Sequence, residues 1–145
     1  MHAQKILFPT DFSTLSDAAL KHATALARDM GAKLIIVHVE EPPAAYGTGE
    51  MYYGIPDPDM PALTKMLEAV VPGDPKVPYE HRMITGDPAA EIVALAEQEK
   101  VELIVLGSHG RTGLGRLLMG SVAEAVVRRA PCAVFTFKEN KPAPE

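Results

Sequence analysis

The sequence predicts an α/β protein, a single domain over residues 1–145 folded as a three-layer α/β/α sandwich on a five-stranded parallel sheet. Three observations lead there. Five short apolar runs alternate with stretches of helical periodicity. The second and fourth runs are continuously apolar and β-branched, as in strands covered by helices on both faces. Most links are short, which suits parallel strands joined by right-handed crossovers. The strand order we expect is 3-2-1-4-5, a Rossmann- or flavodoxin-like winding.

The first strand is Lys5 to Pro9. A helix follows, with Leu15, Ala19, Ala23, Leu26 and Met30 on one face, Ser13 or Thr14 as its cap, and Gly31 at its end. Strand 2 is Lys33 to Val39. The connection from Glu40 to Met60 holds four prolines, three glycines and three of the four tyrosines, and a loop this long is often functional. A second helix is expected from Met60 to Val71, with Leu63, Leu67 and Val70 inward. Strand 3 is Tyr79 to Ile84, where charge interrupts the pattern. Asp87-Pro88 announces a third helix, a capping carboxylate before a first-turn proline, with Ala89, Ile92, Leu95 and Ala96 inward. Strand 4 is Glu102 to Leu106. The fourth helix runs from Ser121 to Arg129, with Val122, Ala125 and Val126 inward. Arg128 and Arg129 complement its dipole. Strand 5 is Cys132 to Phe137, and residues 139–145 are expected to fray.

Composition narrows the function classes. Fourteen basic against nineteen acidic residues leave a net charge of −5, which disfavours nonspecific binding to nucleic acid or anionic lipid. The one cysteine, Cys132, allows neither an internal disulfide nor a thiolate metal cluster, and it reads as a small buried residue. A reducing, cytoplasmic setting fits. The start, Met1 to Ile6, does not read as a signal peptide, and no apolar run reaches transmembrane length. The five histidines show no metal-ligand spacing, and His38 at a strand end reads as structural.

Sheets of this kind bind ligands where the strand order reverses, at the carboxyl ends of strands 1 and 4. Function is therefore expected just after Phe8 and just after Leu106. After Leu106, five glycines fall between Gly107 and Gly120. Glycines permit positive φ and close approach of backbone N–H groups to an anion. The following helix adds free N–H groups and partial positive charge. From Gly107 to Ala123 there is no acidic residue, while Arg111 and Arg116 are present. A polyphosphate is the physical match, although neither G-x-x-x-x-G-K-[ST] nor G-x-G-x-x-G occurs.

Gly107-x2-Gly110-x9-Gly120-Ser121 resembles the G-x2-G-x9-G-[ST] signature of the ATP-binding branch of the universal stress protein (UspA-like) family. Ile6 to Ser13 resembles that family's first strand and loop, His38-Val39 its second strand end, and Pro131 to Val134 its last strand. The likeness spans nearly the whole chain. It implies an ATP site, with Mg²⁺ carried by the phosphates, and AMP, ADP or a cyclic nucleotide as other ligands. Asp11 is a turn residue or a carboxylate for ribose, adenine or the metal. The resemblance favours nucleotide contact, with Pro9 and Thr10 beside it. The resemblance also gives the Val39 backbone the adenine edge, with Leu106 nearby. Gly107, Gly110, Arg111, Gly120, Ser121 and Val122 are assigned to the phosphates, Ser121 through its hydroxyl or merely as a helix cap. Strand 5, Val134 to Phe137, would be an apolar edge needing cover, and the family likeness implies a homodimer there. The expected role is a nucleotide-dependent regulatory module. The alternatives are a slow ATPase or autophosphorylating enzyme, or a nucleotide-independent interaction protein.

Overall fold

The computed structural model describes residues 4–42, 59–108 and 120–138. Most of the Glu40–Met60 connection, the centre of the glycine loop and the expected fraying tail lie outside them. Nine elements follow in order: β1 (Lys5–Pro9), α1 (Thr14–Met30), β2 (Lys33–Glu40), α2 (Met60–Glu68), β3 (Tyr79–Thr85), α3 (Pro88–Glu99), β4 (Leu103–Gly107), α4 (Ser121–Arg129) and β5 (Ala133–Phe137). The strands form one parallel sheet of order β3-β2-β1-β4-β5. The fold class and strand order are those expected.

Alternation along the strands builds two cores. Ile6, Phe8, Leu34, Ile36 and Val105 face α1 and α2, meeting Ala19, Ala23 and Leu67. Leu7, Ile35, Val37 and Ile104 face α3 and α4, meeting Ile92, Leu95 and Val126. Burying each large aliphatic contributes about 1.5–3 kcal/mol, so the central strands carry much of the stability.

Helix ends follow local chemistry. Ser13 Oγ accepts from the Ser16 N–H (3.2 Å), and Gly31 closes α1 at φ 68°, a conformation glycine adopts without strain. Asp87 accepts from the Ala90 N–H (2.9 Å) in front of Pro88. Three expectations need correction. α2 stops at Glu68, because Val71 precedes Pro72 and is disfavoured in a helix. Gly120, not Ser121, is the N-cap of α4. That register turns Ala123 inward and leaves Val122 and Val127 exposed. Strand 4 also begins one residue later than expected, and strand 5 begins after Cys132.

The weak third strand is an edge, paired only with β2, and a chain of ion pairs anchors it. Lys33 Nζ lies 3.2 Å from Glu80, which also takes Arg82 Nε at 3.2 Å. Arg82 reaches Glu99 at the end of α3, and Glu99 takes Lys5 Nζ at 3.1 Å. Hydrogen bonds from Lys5 first and Arg82 second hold the Glu99 carboxyl below its ordinary value. Burial pushes Glu80 up, but hydrogen bonds from Arg82 and Lys33 outweigh it and leave Glu80 lowered too. A carboxyl held down this way stabilises the fold above its unfolded value of 4.5, and that contribution is lost as pH falls through the folded value. The melting temperature of the wild-type chain should therefore drop more steeply below pH 4.5 than that of Glu99→Gln. Thermal unfolding between pH 7 and pH 3 checks this, and equal slopes in the two chains would refute it.

Candidate functional site

β1 turns left in the sheet order and β4 turns right, so their carboxyl ends part. A cavity of about 350 Å³ opens there, within the range of small-molecule sites. Pro9, Thr10 and Asp11 reach it from the exit of β1, and Val39 from the end of β2. Leu106 and Gly107 come from β4, and Gly120, Ser121 and Val122 from the start of α4. All of these were read from the sequence as site residues, and one cavity collects them. Gly110 and Arg111, also assigned to the site from the sequence, lie outside the described residues.

The exit of β1 is a tight, hydrogen-bonded turn. The Asp11 carboxylate accepts from the Ser13 N–H (3.0 Å), so the turn role is real. Thr10 Oγ1 accepts from the Phe12 N–H (3.1 Å) and pairs with the Ser16 hydroxyl (2.8 Å). Phe12 takes φ 65°, the left-handed region, which costs a non-glycine residue about 1–2 kcal/mol. Its ring lies against His38, with centroids 4.4 Å apart. His38 is 1% exposed, as its structural reading required. Its Nδ1 meets the Thr10 carbonyl at 2.8 Å and its Nε2 meets Glu40 Oε2 at 2.6 Å. A carbonyl only accepts, so Nδ1 carries the proton.

The opposite wall is made of backbone. The Ser108 N–H donates to the Phe137 carbonyl (2.8 Å), and the Gly120 N–H donates to the Ser108 carbonyl (2.5 Å). Gly120 sits at φ −70°, so positive φ is not the reason for glycine there. It caps α4 without a side chain, so among the described residues no side-chain cap occupies the first-turn N–H groups. Ser121 is the first helical residue, so its hydroxyl is not the cap. Charge is divided across the cavity. The charged side chains lining it among the described residues are Asp11, Glu40 and Glu41, all towards β1 and β2. The helix N-terminus, with its partial positive charge, faces them.

Some lining residues were not read from the sequence as site residues. Glu40 and Glu41 sit at the end of β2, where the rule for reversed strand order points only to β1 and β4. Ser16, Pro88 and Ile92 reach the cavity through helix packing, which carries no motif. Cys132 is half-buried, and burial pushes its thiol up, in keeping with a packing role.

The universal stress protein family model matches residues 2–138. The chain belongs to the universal stress protein family. Universal stress protein MJ0531 of Methanocaldococcus jannaschii is 37% identical over 144 residues, covering 95% of this chain and 84% of that protein. The solved structure of MJ0577 from the same organism superposes with a TM-score of 0.75 at 31% identity, covering 98% of this chain and 100% of the other. A universal stress protein solved in complex with cAMP superposes with a TM-score of 0.64 at 27% identity, covering 94% and 98%. This universal stress protein fold has no helix, among the described residues, long and apolar enough to cross a membrane.

Thr10→Val keeps the shape of the buried turn and removes its hydroxyl. The buried Ser16 hydroxyl and the partly buried Phe12 N–H then lose a partner, at a cost of about 1–3 kcal/mol. Denaturant unfolding should show that loss, and a change below about 0.5 kcal/mol would mean that the turn does not depend on the hydroxyl.

Proposed function

We propose that the chain binds an adenine nucleotide, with ATP the leading ligand, between β1 and β4. The observation that carries this reading is the division of the cavity. A carboxylate and backbone wall lies at β1 and β2, and a helix start whose cavity-lining residues, Gly120 to Ala123, carry no acidic side chain lies opposite. The wall suits the ribose and base, with Asp11 towards the sugar hydroxyls and the Val39 backbone towards the base. The helix start, with Gly120, Ser121 and Val122, suits the phosphates. Gly110 and Arg111 complete the phosphate side in this reading. The described residues contain no cluster of three metal-ligating side chains, so Mg²⁺ would enter on the phosphates. The relative solved with cAMP supports an adenine ligand. The role proposed is binding, in a cytoplasmic regulatory module whose nucleotide state a partner reads.

Calorimetric titration tests this with ATP, AMP and cAMP in parallel. The expected result is a saturating heat with ATP. No heat from any of the three at millimolar concentration would overturn the reading, and a preference for cAMP would reassign the ligand. Gly120→Glu is conformationally permitted, because φ −70° suits any residue. It sets a carboxylate against the phosphates and should weaken ATP binding by about tenfold or more, with the melting temperature unchanged.

We further propose a homodimer through β5. This edge strand pairs only with β4 and leaves Phe135 44% exposed, stacked on Phe137 with centroids 4.5 Å apart. An exposed apolar edge calls for a partner strand. Sedimentation should give a dimer for the wild-type chain and a monomer for Phe135→Lys. A wild-type monomer would refute the assignment.

A further inference from the structure

The β1–β2 ladder ends early. Its last pair is Pro9 with Val37, closed by the Thr10 N–H donating to the Val37 carbonyl (2.8 Å). In a parallel pair, successive residues of the shared strand bond to opposite neighbours. Lys33 and Val37 of β2 bond towards β1, whereas Leu34 and Glu40 bond towards the β3 side. Val39 therefore turns its N–H and C=O towards β1. One more rung would join the Val39 N–H to the Thr10 carbonyl, and the Phe12 N–H to the Val39 carbonyl. Neither bond forms. The Thr10 carbonyl accepts from His38 Nδ1–H (2.8 Å) instead, and the Phe12 N–H donates to Thr10 Oγ1 (3.1 Å). Side chains have taken both partners, and Val39 lines the cavity.

We infer that His38 and Thr10 are positioning residues that hold this ladder open, presenting the Val39 N–H and C=O to the base as an adjacent donor and acceptor. The inference rests on the adenine-nucleotide reading above and assigns the residues that make its base site. His38 is well fixed for this task. Glu40 holds Nε2 at 2.6 Å, Phe12 packs on the ring, and the imidazole is buried. Both ring nitrogens are thus engaged, and the ring cannot turn away from the Thr10 carbonyl.

The arrangement has a specificity consequence. Adenine offers an amino donor beside a ring-nitrogen acceptor. Hypoxanthine offers the reverse, an oxo acceptor beside a ring N–H. A fixed donor–acceptor pair distinguishes the two, because a mismatched base leaves buried polar groups unpaired.

Two measurements on the full-length chain test the inference. The first needs no nucleotide. Amide hydrogen exchange by NMR should find the Val39 N–H exchanging faster than those of Ile35 and Val37. In His38→Leu the released Thr10 carbonyl should draw in the Val39 N–H and slow its exchange. His38→Asn places an amide N–H where Nδ1 stood and should restore the wild-type pattern. The second measurement is the ratio of ATP to ITP affinity. The wild-type chain and His38→Asn should favour ATP by about tenfold or more, and His38→Leu should lose that preference. If His38→Leu does not fold, Thr10→Val frees the Phe12 N–H for the Val39 carbonyl, so the Phe12 amide should become protected and the ATP preference should fall. A Val39 amide protected as well as Val37 in the wild-type chain overturns the inference. So does an unchanged ATP to ITP ratio in the Leu variant. A wild-type chain that binds neither nucleotide removes the nucleotide reading, while the exchange pattern still decides whether His38 holds the ladder open.

Discussion

The architecture of the crevice depends on one strand leaving its sheet. β1 is central and its Ile6, Leu7 and Phe8 are fully buried, so both of its faces are committed to packing. Such a strand cannot bend within the core. It departs after Pro9, which has no N–H to give the ladder. Thr10 and Asp11 then carry the turn, and Ser13 caps the helix that drags the chain away. Everything at the site follows from that departure. It opens the gap beside β4, and it leaves the last residues of β2 without a ladder neighbour on the β1 side.

The strain at Phe12 belongs to the same event. A phenylalanine in the left-handed region persists only where its surroundings fix it. Here the Asp11 and Thr10 side chains fold the turn around it, and His38 receives its ring. Relief by glycine at this position would free the backbone, but it would also strip the cover from His38. The cost of about 1–2 kcal/mol is small beside the loss of a buried, hydrogen-bonded imidazole's surroundings.

Much of this was legible in the sequence, for identifiable reasons. β1 was placed to the residue, and α1 to within one at its start, because Pro9, Ser13 and Gly31 are local punctuation with local causes. The doubly covered parallel sheet followed from the continuous apolar runs and short links, and the strand order is that of the flavodoxin-like winding chosen for it. The bounds of α4 were read correctly, but its cap was read one residue late. Ser121 looks like a cap, but the chain caps with the backbone of Gly120, and Ala123 rather than Val122 meets the core. Val122 and Ala123 are both apolar, so periodicity could not choose between them. His38 shows the deeper limit. Its burial was foreseeable from a strand of apolar neighbours. Its bond to the Thr10 carbonyl was not, because 28 residues separate the partners and no motif marks a ladder rung that fails to form.

The crevice and the β5 edge share a short physical connection. The Gly120 N–H is held by the Ser108 carbonyl, and the Ser108 N–H is held by the Phe137 carbonyl. Ser108 is itself buried, at 1% exposure, so it has little room to move alone. A displacement of the α4 cap must therefore stretch these bonds or shift the end of β5. Phe137 in turn stacks on Phe135, the exposed residue of that strand, and on His22 of α1. Two packed, hydrogen-bonded steps thus join the proposed phosphate end of the site to the proposed dimer edge. Coupling between such sites is reciprocal when the ligand distinguishes two arrangements of the path. A ligand that tightens the Gly120 cap would then tighten the dimer, and dimerisation would raise its affinity by the same factor.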